Sequence, residues 1–191
     1  MDISTDSAKV IGRSTPERIL IRGFVTKGEE KMAIKILEVK KESCPATLLI
    51  GKRYNGNVNW GEWWANDWFS VLEKNPCIPF NGDAYIGAVH IVDGMPEYWI
   101  GMFFPIGTEV PEGFEAVEIE ALDYAVCYLQ GKEGSSEFYS METHNLCLEE
   151  IKRLGLQRKE DDWCFERYNC PRFTTPDADG NVILDYGIAI M

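Results

Sequence analysis

The apolar positions of this chain follow a pattern that occurs twice. In the first copy a strand-like run precedes a helical pattern and two more strand-like runs, at 48–51, 60–74, 84–92 and 98–106. In the second copy the same order occupies 124–129, 141–154, 163–169 and 182–190. We therefore predict an α+β domain built as a tandem strand–helix–strand–strand repeat with pseudo-two-fold symmetry. The boundary between two such halves is a natural place for a central ligand groove.

The length of the chain indicates how this repeat is organised. A sequence of 191 residues suits one domain with a full core. Residues 1–31 are polar and irregular apart from a short apolar run at 19–25, so we interpret them as an N-terminal extension. The predicted domain covers 32–191, with halves that extend over approximately 32–110 and 111–191.

The first helical pattern carries four tryptophans. Trp60, Trp64 and Trp68 fall along one stripe of a helix, and Trp63 lies on its flank. A core stripe is the simpler explanation for most of these rings. Because each indole is large and its N–H needs an acceptor, four of them exceed what one helix normally buries. We expect at least one to face a cleft.

Two other residues of the first unit have a structural and a functional interpretation. His90 lies in the strand-like run at 84–92, where a histidine is more often a hydrogen-bonded structural residue than a catalytic base. Gly101 lies in an aromatic strand, and its missing side chain would let another backbone or a ligand come close.

Composition and charge exclude some classes of partner. The net charge is −12 and no basic stripe is visible, which argues against a nucleic-acid surface. Such a charge usually serves solubility, and it also favours cationic ligands. No apolar run approaches the length of a membrane-spanning helix, so no membrane association is expected. Six Trp, eight Tyr and nine Phe are a surplus that can fill a core or line a pocket for flat apolar ligands.

The cysteines predict neither a disulfide framework nor a metal site. The six cysteines form no CxxC pair, and no secretory signal precedes them. Only His90 and His144 could complete a zinc site, and neither has ligand spacing from a cysteine. We expect buried free thiols in a reducing cytoplasm, and neither a metal nor a cofactor.

One carboxylate stands inside the apolar and aromatic run at 163–169. Strand alternation places Glu166 on the same face as Cys164 and Tyr168. A buried carboxylate must pair with a base, bind a proton or serve a ligand. The structural alternative is an ion pair with one of three arginines, namely Arg53, Arg167 and Arg172.

These residues also carry a resemblance to a known family. The strand that begins with Tyr-Ala-Val at 124–126, Gly131, the helix that follows, the Phe-Glu-Arg-Tyr run at 165–168 and the final strand at 182–190 occur in the same order in that family. The region 32–191 resembles the GyrI-like small-molecule-binding domain, also called the AraC-type effector-binding domain. The resemblance implies a curved sheet with a ligand groove between its halves. It also implies that Glu166 binds flat, apolar cations between aromatic rings.

The resemblance leaves the activity open. Some members of the family hydrolyse cyclopropanoid genotoxins. For this chain the resemblance implies that Glu166 would activate the attacking water. Tyr168 or Tyr124 would donate a hydrogen bond to the carbonyl oxygen of the substrate. The ligand-binding candidates are aromatic, namely Trp60, Trp64, Trp99, Phe103, Phe104, Tyr128 and Tyr139. The alternative is a non-catalytic drug-binding, sensing or sequestering protein that acts through a partner such as a transcription regulator or gyrase. A domain that itself reads DNA is not expected, because 31 extension residues cannot hold one. An adaptor for other proteins would show an unusually large exposed apolar patch.

Overall fold

A computed structural model describes residues 34–191, which form an antiparallel sheet of eight strands with helices packed against it. The strands are β1 (Lys35–Cys44), β2 (Thr47–Tyr54), β3 (Tyr85–Val92), β4 (Met95–Pro105), β5 (Glu115–Ile119), β6 (Leu122–Lys132), β7 (Cys164–Tyr168) and β8 (Asn181–Ile190). The helices are α1 (Trp60–Ala65), α2 (Trp68–Leu72) and α3 (Met141–Arg153), with a 3₁₀ turn at Ser136–Tyr139. The predicted extension at 1–31 lies outside the described residues.

The order of the strands confirms the predicted repeat. Across the sheet the order is β1-β6-β8-β7-β3-β4-β2-β5. The first unit contributes β3-β4-β2 and the second contributes β7-β8-β6, so the two halves mirror each other about the pairing of β7 with β3. We call this pairing the central junction. Each half places its helices between its first and second strands, as the sequence pattern predicts.

Two strands outside the predicted repeat are exchanged between the halves. β1 leads directly into β2 yet pairs with β6, and β5 leads into β6 yet pairs with β2. Only two residues separate Cys44 from Thr47, so these ends lie within about 11 Å of each other. In a flat sheet the first and seventh strands would be about 29 Å apart. The exchange therefore requires the sheet to curl.

The curled sheet has a core on its inner face that both halves build. Leu49 of β2 and Tyr124 of β6 belong to one buried cluster, together with Phe103 and Phe165. The outer face carries one core for each half. In the first, Trp63 and other residues of α1 and α2 cover β2 and β4, and in the second α3 covers β6 and β8.

The predicted helix over 60–74 is broken into two short helices. Asn59 caps α1 through a hydrogen bond from the Glu62 amide. Asp67 then adopts a left-handed conformation with φ of 52°, which ends the regular turn and starts α2 in a new direction. As a result Trp63 is fully buried, whereas Trp64 is 61% exposed. Trp64 therefore lies outside the core stripe, which agrees with the expectation that at least one of these rings faces a cleft.

The close neighbour of Gly101 is backbone from the adjacent strand. Gly101 faces Gly51 across the pairing of β4 with β2. A Cβ atom added at Gly101 would lie 2.2 Å from the carbonyl oxygen of Ile50. The two glycines thus let the strands approach where side chains would collide.

A buried ionic network joins strands across the inner face. Asp185 of β8 is fully buried and accepts hydrogen bonds from Arg167, Arg172 and Asn169. Arg167 of β7 also contacts Glu42 of β1 at 2.9 Å. Because β1 lies three strands away in the sheet, this contact holds the exchanged strand against the second half.

None of the helices in residues 34–191 is both long enough and apolar enough to cross a membrane. The longest of them, α3, has 13 residues.

Replacing Arg167 tests how much the buried ionic network stabilises the fold. We expect Arg167→Met to lower the free energy of unfolding by about 3–5 kcal/mol, because it leaves the buried Asp185 and the partly buried Glu42 short of their counter-charge. Urea denaturation at neutral pH measures the change. The matched control is Arg53→Met, whose exposed pairs with Glu97 and Glu115 predict a loss of about 1 kcal/mol or less. Equal losses in both variants would contradict a structural role for the network.

Candidate ligand-binding groove

A cavity of about 690 Å³ lies over the central junction on the outer face of the sheet. Its volume falls in the range of small-molecule sites. The lining is dominated by aromatic rings from both halves, including Trp60, Trp64, Tyr85, Tyr98, Tyr168 and Tyr186. The cavity thus lies where the repeat predicted a groove.

Glu166 lies in the middle of this cavity's floor. On β7 it pairs with Gly87 of β3 on one side and with Tyr186 of β8 on the other. Strand alternation directs it outward together with Cys164 and Tyr168, and all three line the cavity. The carboxylate therefore lies where the two halves of the sheet meet.

Gly87 makes the space that this carboxylate occupies. A Cβ atom at Gly87 would lie 3.1 Å from the Glu166 Oε2 atom and 3.3 Å from the Trp60 ring. Both distances are shorter than most carbon contacts. A larger residue at this position would displace either the carboxylate or the indole, so the glycine is part of the site.

Glu166 has no basic partner in the described part of the chain. Its one side-chain hydrogen bond comes from the Tyr168 hydroxyl, which donates to Oε2 at 2.5 Å. The predicted alternative of an ion pair is wrong, because Arg53, Arg167 and Arg172 all pair with other carboxylates. Among residues 34–191, no Lys, Arg or His lines the cavity.

The surroundings shift the protonation of this site. Burial raises the pKa of Glu166 to about 7, although the hydrogen bond from Tyr168 acts in the opposite direction. Burial also raises the pKa of Tyr168 well above its usual value, and the negative charge of Glu166 adds to this effect. Tyr168 thus remains a neutral donor while Glu166 changes its charge near neutral pH.

The aromatic walls form a connected set around Glu166. The Trp60 ring meets Tyr168 edge to face at a centroid distance of 4.9 Å, and Tyr168 meets Phe173 at 4.8 Å. Towards the opening, Trp64 contacts Tyr85 at 5.4 Å. Tyr139 is 53% exposed and lines the side nearest to α3. These rings offer flat apolar surfaces beside a carboxylate.

Several residues proposed from the sequence line the cavity. They are Glu166, Tyr168, Trp60, Trp64, Trp99 and Tyr139. Trp99 contributes little exposed surface, because its side chain belongs to the inner core and its indole N–H donates to Glu97. The binding role of these residues stays a prediction.

Four other proposed residues lie elsewhere. Tyr124 and Phe103 point into the inner core, and Phe104 packs under α1 and α2. Tyr128 also faces inward, where its hydroxyl donates to Glu42 at 2.8 Å. Each of these strands has the predicted alternation, but the sequence does not show which of its two faces belongs to the groove. Tyr124 is 1% exposed and cannot reach a ligand in the cavity.

The cavity also contains residues that sequence reasoning missed. Tyr85 lies opposite Tyr168, and Tyr186 lies opposite Glu166, with its hydroxyl 2.8 Å from the His144 Nδ1 atom. Asp83 lines the cavity as a second carboxylate. The signal that could have found the two tyrosines is strand register, which places residues on the face of a known neighbour, whereas Asp83 lies in the turn before β3.

The sequence raised two other questions of chemistry, a catalytic role for His90 and a metal site. His90 stacks on Trp163 at a centroid distance of 3.7 Å and contacts Glu97, as the structural interpretation predicted. Over residues 34–191, no group of three or more His, Cys, Asp or Glu side chains is arranged to hold a metal ion.

Comparisons with known proteins give a fold and no sequence relative. No protein-family model matches the chain, and no curated protein matches it. The structure of SAV2435, solved with tetraphenylphosphonium bound, is similar with a TM-score of 0.56 and 13% identity, covering 81% of this chain and 94% of that one. A proposed transcription regulation protein of Staphylococcus aureus MU50 has a TM-score of 0.53 and 14% identity, covering 80% and 97%.

The C-terminal domain of EcmrR is also similar, with a TM-score of 0.53 and 10% identity over 81% of this chain and 97% of that one. At these identities the likeness concerns the fold, which is an α+β architecture with a large antiparallel sheet. The chain therefore has the fold of the GyrI-like small-molecule-binding domains.

Proposed function

We propose that the groove binds flat, apolar organic cations whose charge is delocalised, with Glu166 as the counter-charge. The observation that carries this proposal is a carboxylate without a basic partner on the floor of an aromatic cavity. The ligand bound to SAV2435, tetraphenylphosphonium, belongs to this chemical class and supports the proposal.

The physical argument favours delocalised cations over small hydrated ones. A carboxylate that is partly removed from water attracts a nearby positive charge more strongly than an exposed one does. A compact cation would have to give up strong hydration to reach it. A large aromatic cation loses little hydration, and the rings of Trp60, Tyr168 and Trp64 add cation–π and apolar contacts.

A role in sensing or sequestration fits such a groove. The similar EcmrR structure is the C-terminal domain of a larger protein, so this fold occurs as one part of a multidomain chain. We propose that the protein captures its ligand directly and transmits any signal through a protein partner. No part of this proposal requires chemistry on the ligand.

Hydrolysis of a cyclopropanoid compound is a second proposal for the same groove. A carboxyl group with a pKa of about 7 is suited to act as a general base near neutral pH. Hydrolysis also needs a hydrogen-bond donor for the developing oxyanion. Neither candidate tyrosine suits this role, because Tyr124 lies in the core and Tyr168 already donates to Glu166. Binding without reaction is therefore the better-supported function.

Tetraphenylphosphonium affinity tests the proposed counter-charge. We expect the wild-type affinity to rise between about pH 5.5 and 8.5, because Glu166 loses its proton as the pH passes through about 7. Glu166→Gln should bind about tenfold or more weakly at pH 8 and show no such rise. Quenching of tryptophan fluorescence measures both profiles.

The control ligand is neutral triphenylphosphine oxide, whose affinity should change little with pH or with Glu166→Gln. A variant that loses both ligands equally would show a damaged cavity. A variant that loses neither would refute the role of Glu166.

The unpaired carboxylate should lower the free energy of unfolding when it is ionised. Because burial raises the pKa of Glu166 in the folded state, its contribution to stability is present at low pH and is lost as the pH rises to about 7. We expect Glu166→Gln to be more stable than wild type by about 2–3 kcal/mol at pH 8 and nearly equal at pH 5. Denaturant titrations without ligand measure the difference. Glu118→Gln, which alters an exposed strand carboxylate, should show no such pH-dependent gain.

Incubation with a cyclopropanoid alkylator distinguishes binding from hydrolysis. The binding proposal predicts that mass spectrometry recovers the compound unchanged and partly bound to the protein. A product heavier by one water that Glu166→Gln fails to form would instead establish a hydrolase.

A further inference from the structure

We propose that the groove has a second anionic subsite at Asp83 and that it prefers elongated aromatic compounds carrying two positive groups. This inference rests on the proposed function, because it takes Glu166 as the first of two binding sites for positive charge.

The two carboxylates line one cavity at separate positions. Glu166 pairs with Gly87, and Tyr168 on the next outward position pairs with Tyr85. Asp83 lies two residues before Tyr85, in the turn that precedes β3, and lines the same cavity. Three residues separate Asp83 from Gly87, so their Cα atoms lie at most roughly 14 Å apart. Tyr85 and its partner Tyr168 lie between the two positions along the chain, so the carboxylates occupy different parts of the cavity.

Asp83 brings a negative charge to the cavity that no ion pair within the described part of the chain neutralises. Asp83 forms no side-chain hydrogen bond or ion pair with other residues between 34 and 191. Beside it the Tyr85 hydroxyl donates to Glu73 at 2.6 Å, which brings a further carboxylate to this end. The cavity lining offers no base to either carboxylate.

The surface between the carboxylates is aromatic. Tyr85 and Tyr168 form its floor, and Trp64 contacts Tyr85 from the side of α1. A ligand bound at Glu166 alone would cover this floor only in part and leave Asp83 without a partner. An elongated ligand with a charge at each end would fill the groove and neutralise both carboxylates.

The two subsites differ in strength. Glu166 is partly withdrawn from water, whereas Asp83 is exposed, and exposed charge pairs contribute about 1 kcal/mol or less. Asp83 thus adds selectivity for a second charge, and its contribution should weaken as salt concentration rises.

Pyridinium compounds provide matched probes for the second subsite. Decamethylene-bis(pyridinium) carries two flat cations on a chain long enough to reach from Glu166 to Asp83, and N-decylpyridinium carries one. Trimethylene-bis(pyridinium) carries its two charges much closer together, so it tests whether the two subsites are separate. Isothermal titration calorimetry at pH 8 and low salt gives the three affinities.

We expect Asp83→Asn to weaken decamethylene-bis(pyridinium) about fivefold and the other two compounds less than twofold. Asp93→Asn is the matched control, because it removes the same charge at the other end of β3, outside the cavity lining. That variant should leave all three affinities within twofold of wild type.

The variants separate failure of this inference from failure of the proposed function. If Glu166→Gln weakens all three compounds while Asp83→Asn weakens none selectively, the second subsite is overturned and the first remains. If Asp83→Asn and Asp93→Asn have equal effects, the result reflects net charge and overturns the subsite. If Glu166→Gln weakens none, the proposed function fails and this inference fails with it.

Discussion

Side-chain alternation along β7 separates two adjacent residues of opposite charge, and the site depends on this separation. Arg167 points to the inner face, where Asp185 and Glu42 bind its guanidinium. Glu166 points to the outer face and cannot reach the arginine beside it in the sequence. The same strand therefore supplies a buried ionic anchor on one side and an uncompensated carboxylate on the other.

This arrangement sets a balance between stability and binding. In the absence of ligand the groove holds a partly desolvated carboxylate, which raises its pKa to about 7 and makes the ionised form unfavourable. A bound cation would remove that penalty, so part of the binding free energy comes from relief of an unfavourable state of the free protein. The inner network of Arg167 and Asp185 supports a fold that can tolerate such a site. The expected pH dependence of stability and of binding has this single origin.

The sequence predicted most of the repeat but little of the register in which the strands pair. The two strand–helix–strand–strand units and the face that Glu166 shares with Cys164 and Tyr168 follow from periodicity, which is a local property. β1 and β5 were not predicted as part of the repeat, because they are edge strands with weak alternation. Their exchange between the halves depends on pairing with strands distant in the sequence. The assignment of Phe103 and Tyr124 to the groove failed because periodicity defines two faces without telling which one meets Glu166. Tyr85 and Tyr186 become site residues only through cross-strand pairing.

The groove itself is a consequence of the pseudo-symmetry. Each half covers the outer face of its own strands, α1 and α2 over the first half and α3 over the second. Because the inner core is shared while the outer cores are separate, the outer face at the central junction lies between the two helical layers. Trp64 of α1 and Tyr139 of the turn before α3 therefore reach the cavity from its two sides. A ligand bound there touches both halves at once, so its binding free energy depends on how they are positioned relative to each other. Under the proposed function, that dependence is the physical route by which an occupied groove would be reported to a partner.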